Sequence, residues 1–338
     1  MFGSSPCVGF LDSHRTTEES SDQCDLSKKV KLLSALFFST QVVALISRAV
    51  PSALEPLSTT MTSIYPREVL SSEEREEKAR DELNETPELR GLSLRLLREK
   101  MADAKGKARA KNPKLTEDYM SRDSDSFLLR FLRVRKFNVD DALAHITRYE
   151  QFRADHPDLF QATLSDFRDI VSMGMTGVLP VRHPSGAIIM PIYAGRLDPD
   201  CDKRKMLMCS VYCCEKLLES EETQISGGIM IEDLTGMNLL KAMKAGGGPE
   251  TKLSMHWLQE CVPLRMKGLH IVNPPWYIRA MMAIVWPLLK KKMRERIFVY
   301  PDEHWKQLHE RIPPSVLPRE FGGTIDFDGV SWIDEIER

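Results

Sequence analysis

The sequence predicts an α/β fold in which helices cover a mostly parallel sheet, preceded by a small all-α module. Three observations predict it. Up to about residue 156, apolar residues recur at helical spacing; beyond Pro157, short apolar runs alternate with amphipathic ones. Strands that alternate with helices along a chain imply parallel pairing. The 338 residues, 42% of them hydrophobic, suffice for one large domain and a smaller helical one.

Charge and cysteine content exclude several classes of protein. A formal net charge of -2 argues against general nucleic-acid binding, which usually needs a strong basic excess. Seven irregularly spaced cysteines do not indicate a secreted disulfide framework. Cys209, Cys213 and Cys214 lack the second CxxC or His pair of a zinc site, so buried helical cysteines are predicted, with no metal and no cofactor.

Residues 1–65 are predicted to form a variable, disordered leader. They contain an uncharged run, LLSALFFSTQVVALIS, between Lys31 and Arg48. This run is shorter than the roughly 20 residues that span a bilayer, and it begins too far along the chain for an ordinary signal peptide. A membrane anchor is the alternative interpretation of this run.

The N-terminal helical module is predicted over residues 72–156. Residues 72–101 combine a Ser/Glu helix start with apolar residues at helical spacing, interrupted near Thr86 and Pro87. A Lys-rich linker is expected at 105–114. Residues 126–137 and 139–155 alternate apolar and basic positions on helical periods, which predicts two further helices.

The second domain is predicted over residues 160–330. Strands are expected at 177–181, 187–193, 228–234, 267–272 and 297–300, and helices at 203–221, 251–261 and 303–311. The first two strands flank the turn HPSG, which favours a hairpin or adjacent strands.

The segment between the last two strands is the most unusual. From Trp276 to Leu289 only Arg279 and Pro287 are neither apolar nor aromatic, and the basic run KKKMRER follows. A helix that is apolar all round is buried on every side or touches lipid. It is too short to span a bilayer. The pattern predicts a movable lid helix over an apolar cavity, docked on an anionic membrane by its basic end.

Several motifs then resemble a known family. The segments FLLRFLRVRKFNVDDA, ETQISGG, PLRMKGLHIVNPPW and LPREFGGT occur in the order typical of the CRAL-TRIO lipid-binding family, over about residues 75–327. KARDELNE and EKLLESEETQISG are most similar to its retinaldehyde-binding and tocopherol-transfer members. The resemblance implies a protein without enzymatic activity. It would hold one hydrophobic ligand, retinoid- or tocopherol-like, in a cavity floored by the sheet and closed by a mobile helix.

Five basic residues are candidates for a phosphoinositide site. Lys292 and Arg296 would lie one helical turn apart, and Arg265 and Lys267 point the same way if a strand begins there. A headgroup with several phosphates suits that many donors. The resemblance implies that Arg135, Arg265, Lys267, Lys292 and Arg296 form the site. Unselective attraction to anionic membranes is the alternative.

The resemblance also implies a ligand pocket. Its predicted residues are Leu207, Ser210, Cys214, Met230, Glu232, Trp257, Leu258, Val262, Leu269, Met281 and Val285. Each apolar member taken alone fits ordinary core equally well. Strand alternation puts Glu232 beside Met230, where a carboxylate is costly unless it is neutralised or hydrogen-bonded. It would either face the polar end of a ligand or pair with a nearby Arg or a backbone amide. Ser210 replaces a Tyr of the retinaldehyde-binding members, which leaves retinoid identity open.

These patterns favour a cytoplasmic carrier that attaches peripherally to phosphoinositide-bearing membranes. Its expected partners are the small hydrophobic ligand, phosphatidylinositol phosphates and a transient membrane surface, without nucleic acid. The alternative is a membrane-recruited interaction module in which phospholipid is only a structural filler. Catalysis is not expected, because His270 and Cys261 have no evident base and orienting partner.

Overall fold

The computed structural model describes residues 65–112, 115–245, 248–286, 291–300 and 305–337. The leader predicted for residues 1–65 lies outside this part of the chain, apart from Tyr65. The side chains of Met281, Val285 and Lys292 also lie outside the described structure.

The N-terminal part is helical, as predicted. Its helices are α1 (Ser72–Leu83), α2 (Pro87–Lys111), α3 (Asp125–Val134), α4 (Val139–Asp155), α5 (Pro157–Gln161) and α6 (Leu164–Val171). Ser71 closes a capping box with Glu74 at the start of α1, and Thr86 caps α2 with Pro87 in its first position. The predicted linker at 105–114 is wrong up to Lys111, because its Ala, Lys and Arg residues are good helix formers and α2 continues through them.

Within the described ranges, four parallel strands form the sheet, in the order β1-β2-β3-β4. They are β1 (Ile188–Tyr193), β2 (Gly228–Asp233), β3 (Met266–Val272) and β4 (Ile297–Tyr300). The strand predicted at 177–181 is not part of this sheet. That segment instead runs antiparallel beside β1, with the Gly177 and Leu179 amides donating to Pro191 and Ile189 carbonyls at 3.3 and 3.0 Å. Pro180 has no amide hydrogen, so regular pairing cannot continue past it.

Helices connect the strands and follow the last one. They are α7 (Lys203–Leu217), α8 (Glu221–Ser226), α9 (Leu239–Ala245), α10 (Pro249–His256), α11 (Trp276–Val285), α12 (Lys291–Arg294), α13 (Lys306–His309) and α14 (Trp332–Glu337). The helix predicted at 203–221 is two helices, because Ser220 caps α8. A π-helical turn, Trp257–Cys261, extends α10. The helix predicted at 303–311 is shorter, with 301–304 outside the described residues.

The sheet separates two apolar interiors, and the N-terminal helices enclose a third. One sheet face, which we name the α11 face, consists of Met190, Ile192, Met230, Glu232, Leu269, Ile271, Ile297 and Val299. Ile278 and Met282 of α11 and Cys209 of α7 pack in the same cluster. The opposite face packs on C-terminal residues that include Leu308 and Phe321.

The third interior lies among α2, α3 and α4, and we name it the module core. Phe131 and Tyr149 are fully buried in it. Leu207 of α7 and Trp257 after α10 belong to the same cluster, although both follow the N-terminal helices in sequence. The helical module and the sheet domain therefore share a continuous interior.

Candidate functional site

Glu232 is a buried carboxyl group in apolar surroundings. It lies in the register row Ile192, Glu232, Ile271, Val299 of the α11 face, and only 2% of its surface is exposed. Its Oε1 atom has no hydrogen-bond partner, and no described cation forms an ion pair with it. Desolvation by burial alone raises the pKa of Glu232 to about 8. The structure thus shows no Arg partner for Glu232 among the described residues.

Other buried acidic residues of the chain have partners. Glu85 accepts hydrogen bonds from Arg133 at 2.8 and 2.9 Å. Glu222 accepts from the Val69 amide at 3.2 Å, and Glu150 from Arg153 at 2.8 Å. Buried polar groups nearly always have a hydrogen-bond partner, so the unpaired carboxyl of Glu232 needs an explanation.

A cleft of about 770 Å³ lies between α11 and the edge strand β4. Its lining comprises Arg279, Met282, Trp286, Ile297, Phe298, Val299, Tyr300, Gln307, Glu310 and Arg311. Ile297 and Val299 belong to the α11 face, two strands from Glu232, which corresponds to about 10 Å at normal strand spacing. The cleft therefore reaches the edge of the apolar face that contains Glu232.

The structure divides the predicted pocket residues between two interiors. Met230, Glu232 and Leu269 lie on the α11 face. Leu207, Cys214, Trp257 and Val262 pack instead in or against the module core. Ser210 is buried on α7, and Leu258 is 37% exposed. The side chains of Met281 and Val285 are outside the described structure.

Helix α7 explains part of this division. It is apolar on two sides, so its spacing does not reveal which side faces a cavity. Met206, Cys209 and Cys213 pack toward the α11 face, whereas Leu207 and Val211 pack into the module core.

Of the three cysteines of α7, Cys209 and Cys213 are buried, as predicted, whereas Cys214 is only half-buried. The sulfur atoms of Cys209 and Cys213 lie 3.8 Å apart, one helical turn from each other. Within the described ranges, no group of three or more His, Cys, Asp or Glu residues is arranged to hold a metal ion.

Three of the predicted phosphoinositide-binding residues meet at the start of β3. Arg265 Nη2 and Lys267 Nζ both donate to Glu82 Oε2, at 2.8 and 2.6 Å. Arg296 Nη1 donates to the Met266 carbonyl at 2.9 Å. Arg265, Lys267 and Arg296, which we name the basic group, are thus neighbours although they come from different segments.

Among the described residues, no hydrogen bond or ion pair joins the fourth predicted residue, Arg135, to the basic group. Arg135 follows the end of α3 and stands near the buried His145. Burial, and then the charges of Arg135 and Arg148, lower the pKa of His145 to about 3. The fifth predicted residue, Lys292, lies where side chains are not described.

Glu82 on α1 was not predicted as part of any site. Burial opposes its charged form, yet hydrogen bonds from Lys267, Lys78 and Arg265 outweigh that effect and lower the pKa of Glu82 to about 2. The i,i+4 spacing of Lys78 and Glu82 was visible in the sequence. Its long-range partners were not, because they follow more than 180 residues later.

A group of exposed apolar side chains was also not predicted as part of any site. Leu239, Leu240 and Met243 of α9 are 55%, 67% and 62% exposed, and Trp276 at the start of α11 is 73% exposed. The Tyr277 hydroxyl donates to the Met237 carbonyl at 3.0 Å, which holds the start of α11 beside the segment leading into α9. Across the described residues, every helix is too short or too polar to cross a bilayer.

Comparison with known proteins assigns the family. The family model described as CRAL/TRIO domain matches residues 172–323, and that of the CRAL/TRIO N-terminal domain matches residues 93–148. An "Alpha-tocopherol transfer protein-like" of Homo sapiens is 34% identical over 258 residues, covering 75% of this chain and 72% of that protein. The chain belongs to the CRAL/TRIO family. "Clavesin-1" of Mus musculus is also 34% identical, over 261 residues, covering 76% of this chain and 70% of that protein.

Among solved structures, "Sfh5" matches this CRAL/TRIO chain with a TM-score of 0.45 and 11% identity, covering 69% of this chain and 87% of that one. A match this weak does not add to the family assignment. The sequence matches and the parallel sheet described above carry it.

Proposed function

We propose that this CRAL/TRIO protein is a non-enzymatic carrier that exchanges one small hydrophobic ligand at phosphoinositide-containing membranes. The ligand would be retinoid- or tocopherol-like and would lie between the α11 face and α11. The observation that carries the proposal is the buried carboxyl of Glu232, which lies in apolar surroundings and has no partner among the residues that the structure describes. A ligand with one polar end would supply that partner. The name of the relative, alpha-tocopherol transfer protein-like, favours the same class of cargo.

The chemistry of Glu232 suits recognition of a polar ligand end. Because its pKa is raised to about 8, the group is mostly protonated at neutral pH and its O–H can donate one hydrogen bond. A hydroxyl, phenol or carbonyl oxygen on the ligand would accept it. The remaining ligand surface would contact Met230, Leu269 and Met282, gaining on the order of 25 cal/mol for each Å² of apolar surface removed from water.

Release at a membrane would require α11 to move away from the sheet. The cleft is lined by Met282 of this helix and by Trp286, which follows it. The basic group would bind a phosphoinositide headgroup, and binding favours the open state only if that state binds the headgroup more tightly. The exposed Trp276 and the apolar side chains of α9 would contact lipid on the cytoplasmic side of the membrane.

The cargo is tested by native mass spectrometry of the purified protein, followed by lipid extraction. A single hydrophobic molecule in stoichiometric amount supports the carrier. Bulk phospholipid alone, which retinol and tocopherol fail to displace, would instead support the interaction module with a lipid filler.

The membrane step is tested by charge removal at Lys292 and Arg296. The double Gln variant should lower the rate of ligand transfer to phosphoinositide vesicles about fivefold for each charge, since one charge near an anionic surface contributes about 1 kcal/mol. Ligand capture in solution should be nearly unchanged. Lys107→Gln on α2 serves as a control that removes an exposed charge elsewhere. Equal loss of capture and transfer would contradict this division of roles.

A further inference from the structure

An acidic side chain of the protein itself lies among the cations of the proposed headgroup site. Glu82 Oε2 accepts hydrogen bonds from Arg265 and Lys267, and its Oε1 accepts one from Lys78 at 2.6 Å. The two oxygens therefore have different partners: one faces the basic group, and the other faces a residue of the same helix. This arrangement makes Glu82 an internal anion at the place where a phosphate would bind.

We propose that Glu82 is a specificity-determining residue that sets a charge threshold for the headgroup. A headgroup competes with the Glu82 carboxylate for Arg265 and Lys267, because the carboxylate already neutralises part of their charge and accepts one hydrogen bond from each. A phosphate monoester carries about -1.5 to -2 charge at neutral pH. The net binding free energy of a headgroup with one phosphate is small, because that phosphate only takes the place of the Glu82 carboxylate. A headgroup with two phosphates has a much larger net binding free energy. The inference rests on the proposed phosphoinositide site.

Displacement of Glu82 needs only a side-chain movement. Glu82 is one residue from the end of α1, and its side chain is 30% exposed. Ala79 and Leu83 are buried, so α1 stays attached while the carboxylate turns away. Lys78 on the preceding turn remains within reach as its cation, so the displaced charge is not left without a partner.

The proposal is tested by binding of the full chain to phosphatidylcholine vesicles that contain either a monophosphorylated or a bisphosphorylated phosphatidylinositol. Glu82→Gln should bind the monophosphorylated lipid about fivefold more tightly than the wild type does, since it removes a competing, partly exposed ion pair. The gain for the bisphosphorylated lipid should be smaller. The preference for the bisphosphorylated lipid should therefore be smaller in Glu82→Gln than in the wild type.

Two further variants distinguish the effect of the Glu82 carboxylate on the basic group from the effect of changing the net charge of α1. Glu76→Gln removes an exposed charge from the same helix and should raise binding to both lipids slightly and equally. Glu82→Asp keeps the charge but has a shorter side chain, which no longer reaches Arg265 and Lys267. The ratio of its affinities for the bisphosphorylated and the monophosphorylated lipid should therefore be smaller than in the wild type, as in Glu82→Gln. A Glu82→Gln protein that behaves like Glu76→Gln would overturn the threshold.

Vesicles in which phosphatidylserine supplies an equal charge distinguish failure of the inference from failure of the site. If neither the wild type nor Glu82→Gln prefers phosphoinositide over phosphatidylserine, the headgroup site itself is refuted, and the threshold with it. If the wild type shows that preference and Glu82→Gln does not change its selectivity between the two phosphoinositides, only the threshold is refuted.

Discussion

The module core and the α11 face are both apolar interiors, but the buried acidic side chains beside them differ in their partners: Glu85 and Glu150 of the helical module are paired with arginines, whereas Glu232 of the α11 face is paired with no described cation. In the module region, the fully buried Arg133 donates to Glu85, to Gln224 at 2.7 Å and to Glu221 at 2.6 Å. On the α11 face, the carboxyl of Glu232 has no described partner and borders a surface that leads to a cleft.

The difference indicates that the module region has a purely structural role, whereas the α11 face is suited to binding a ligand. A buried network that is fully hydrogen-bonded rigidifies the fold, whereas a buried group without a partner costs free energy as long as it stays alone. The module core is also packed with aromatic rings. Trp257 contacts Tyr149, Phe152 and Phe160 with ring centroids 5.3 to 5.9 Å apart. We therefore expect substitutions in the two regions to have different consequences.

The largest expected effect is in the module core. Trp257→Ala should lower the free energy of unfolding by about 3–5 kcal/mol, because it leaves a cavity where a fully buried ring had been. Denaturant unfolding measures this loss. Trp276→Ala, which removes a 73% exposed ring, is the matched control and should change stability by less than about 0.5 kcal/mol. A Trp257→Ala protein that keeps its stability but no longer binds ligand would show that Trp257 belongs to the pocket after all.

The next largest effect concerns pH and Glu232. Its pKa is about 8 in the folded protein and near 4.5 when unperturbed, so the folded state binds the extra proton between these values. With respect to this group, stability is therefore highest below about pH 4.5 and falls by roughly 4 kcal/mol as pH rises to 8, since one pKa unit corresponds to about 1.4 kcal/mol. Glu232→Gln should remove that fall in ligand-free protein, as measured by unfolding at pH 5, 6.5 and 8.

Asp233→Asn provides the control on the same strand. Asp233 points to the opposite side and accepts from the Thr235 amide at 2.9 Å. Its replacement should leave the pH-dependent fall in place. If Glu232→Gln and the wild type show the same pH profile, Glu232 has a partner in solution and the contrast between the two interiors is refuted.

The smallest expected effect is at the surface beside α11. Replacing both Leu240 and Trp276 with Ala should weaken binding to phosphoinositide vesicles about tenfold, which corresponds to about 1–2 kcal/mol of lost apolar contact with lipid. Leu92→Ala on α2, where the side chain is 45% exposed, should have no effect on vesicle binding. Co-sedimentation measures all three proteins. An equal loss in the Leu92 variant would mean that any exposed apolar residue suffices.

The sequence was most informative where apolar periodicity and turn residues agree. Strand β4 was predicted with its observed bounds, and β2 and β3 to within one residue at their ends. Alternation along β2 correctly put Glu232 on the side of Met230. The spacing of Arg265 and Lys267 correctly indicated one direction, since both reach Glu82.

Contacts between distant segments were not predictable in the same way. Nothing near Trp257 in sequence reveals that its ring packs on Tyr149 rather than on the sheet. Glu82 looked like one acidic residue of a charged helix, because its partners are supplied by the tertiary fold. The exposure of the apolar α9 side chains was not predictable either, because it follows from how the tertiary fold positions that helix.

Helix α7 has a consequence for how the protein unfolds. Leu207 and Val211 belong to the module core, while Cys209 and Cys213 belong to the α11 face, so one helix closes both interiors. A chain shortened to begin after Pro157 would leave Leu207, Val211 and Trp257 facing water, and it would tend to aggregate. The two family segments should therefore melt together in a single transition.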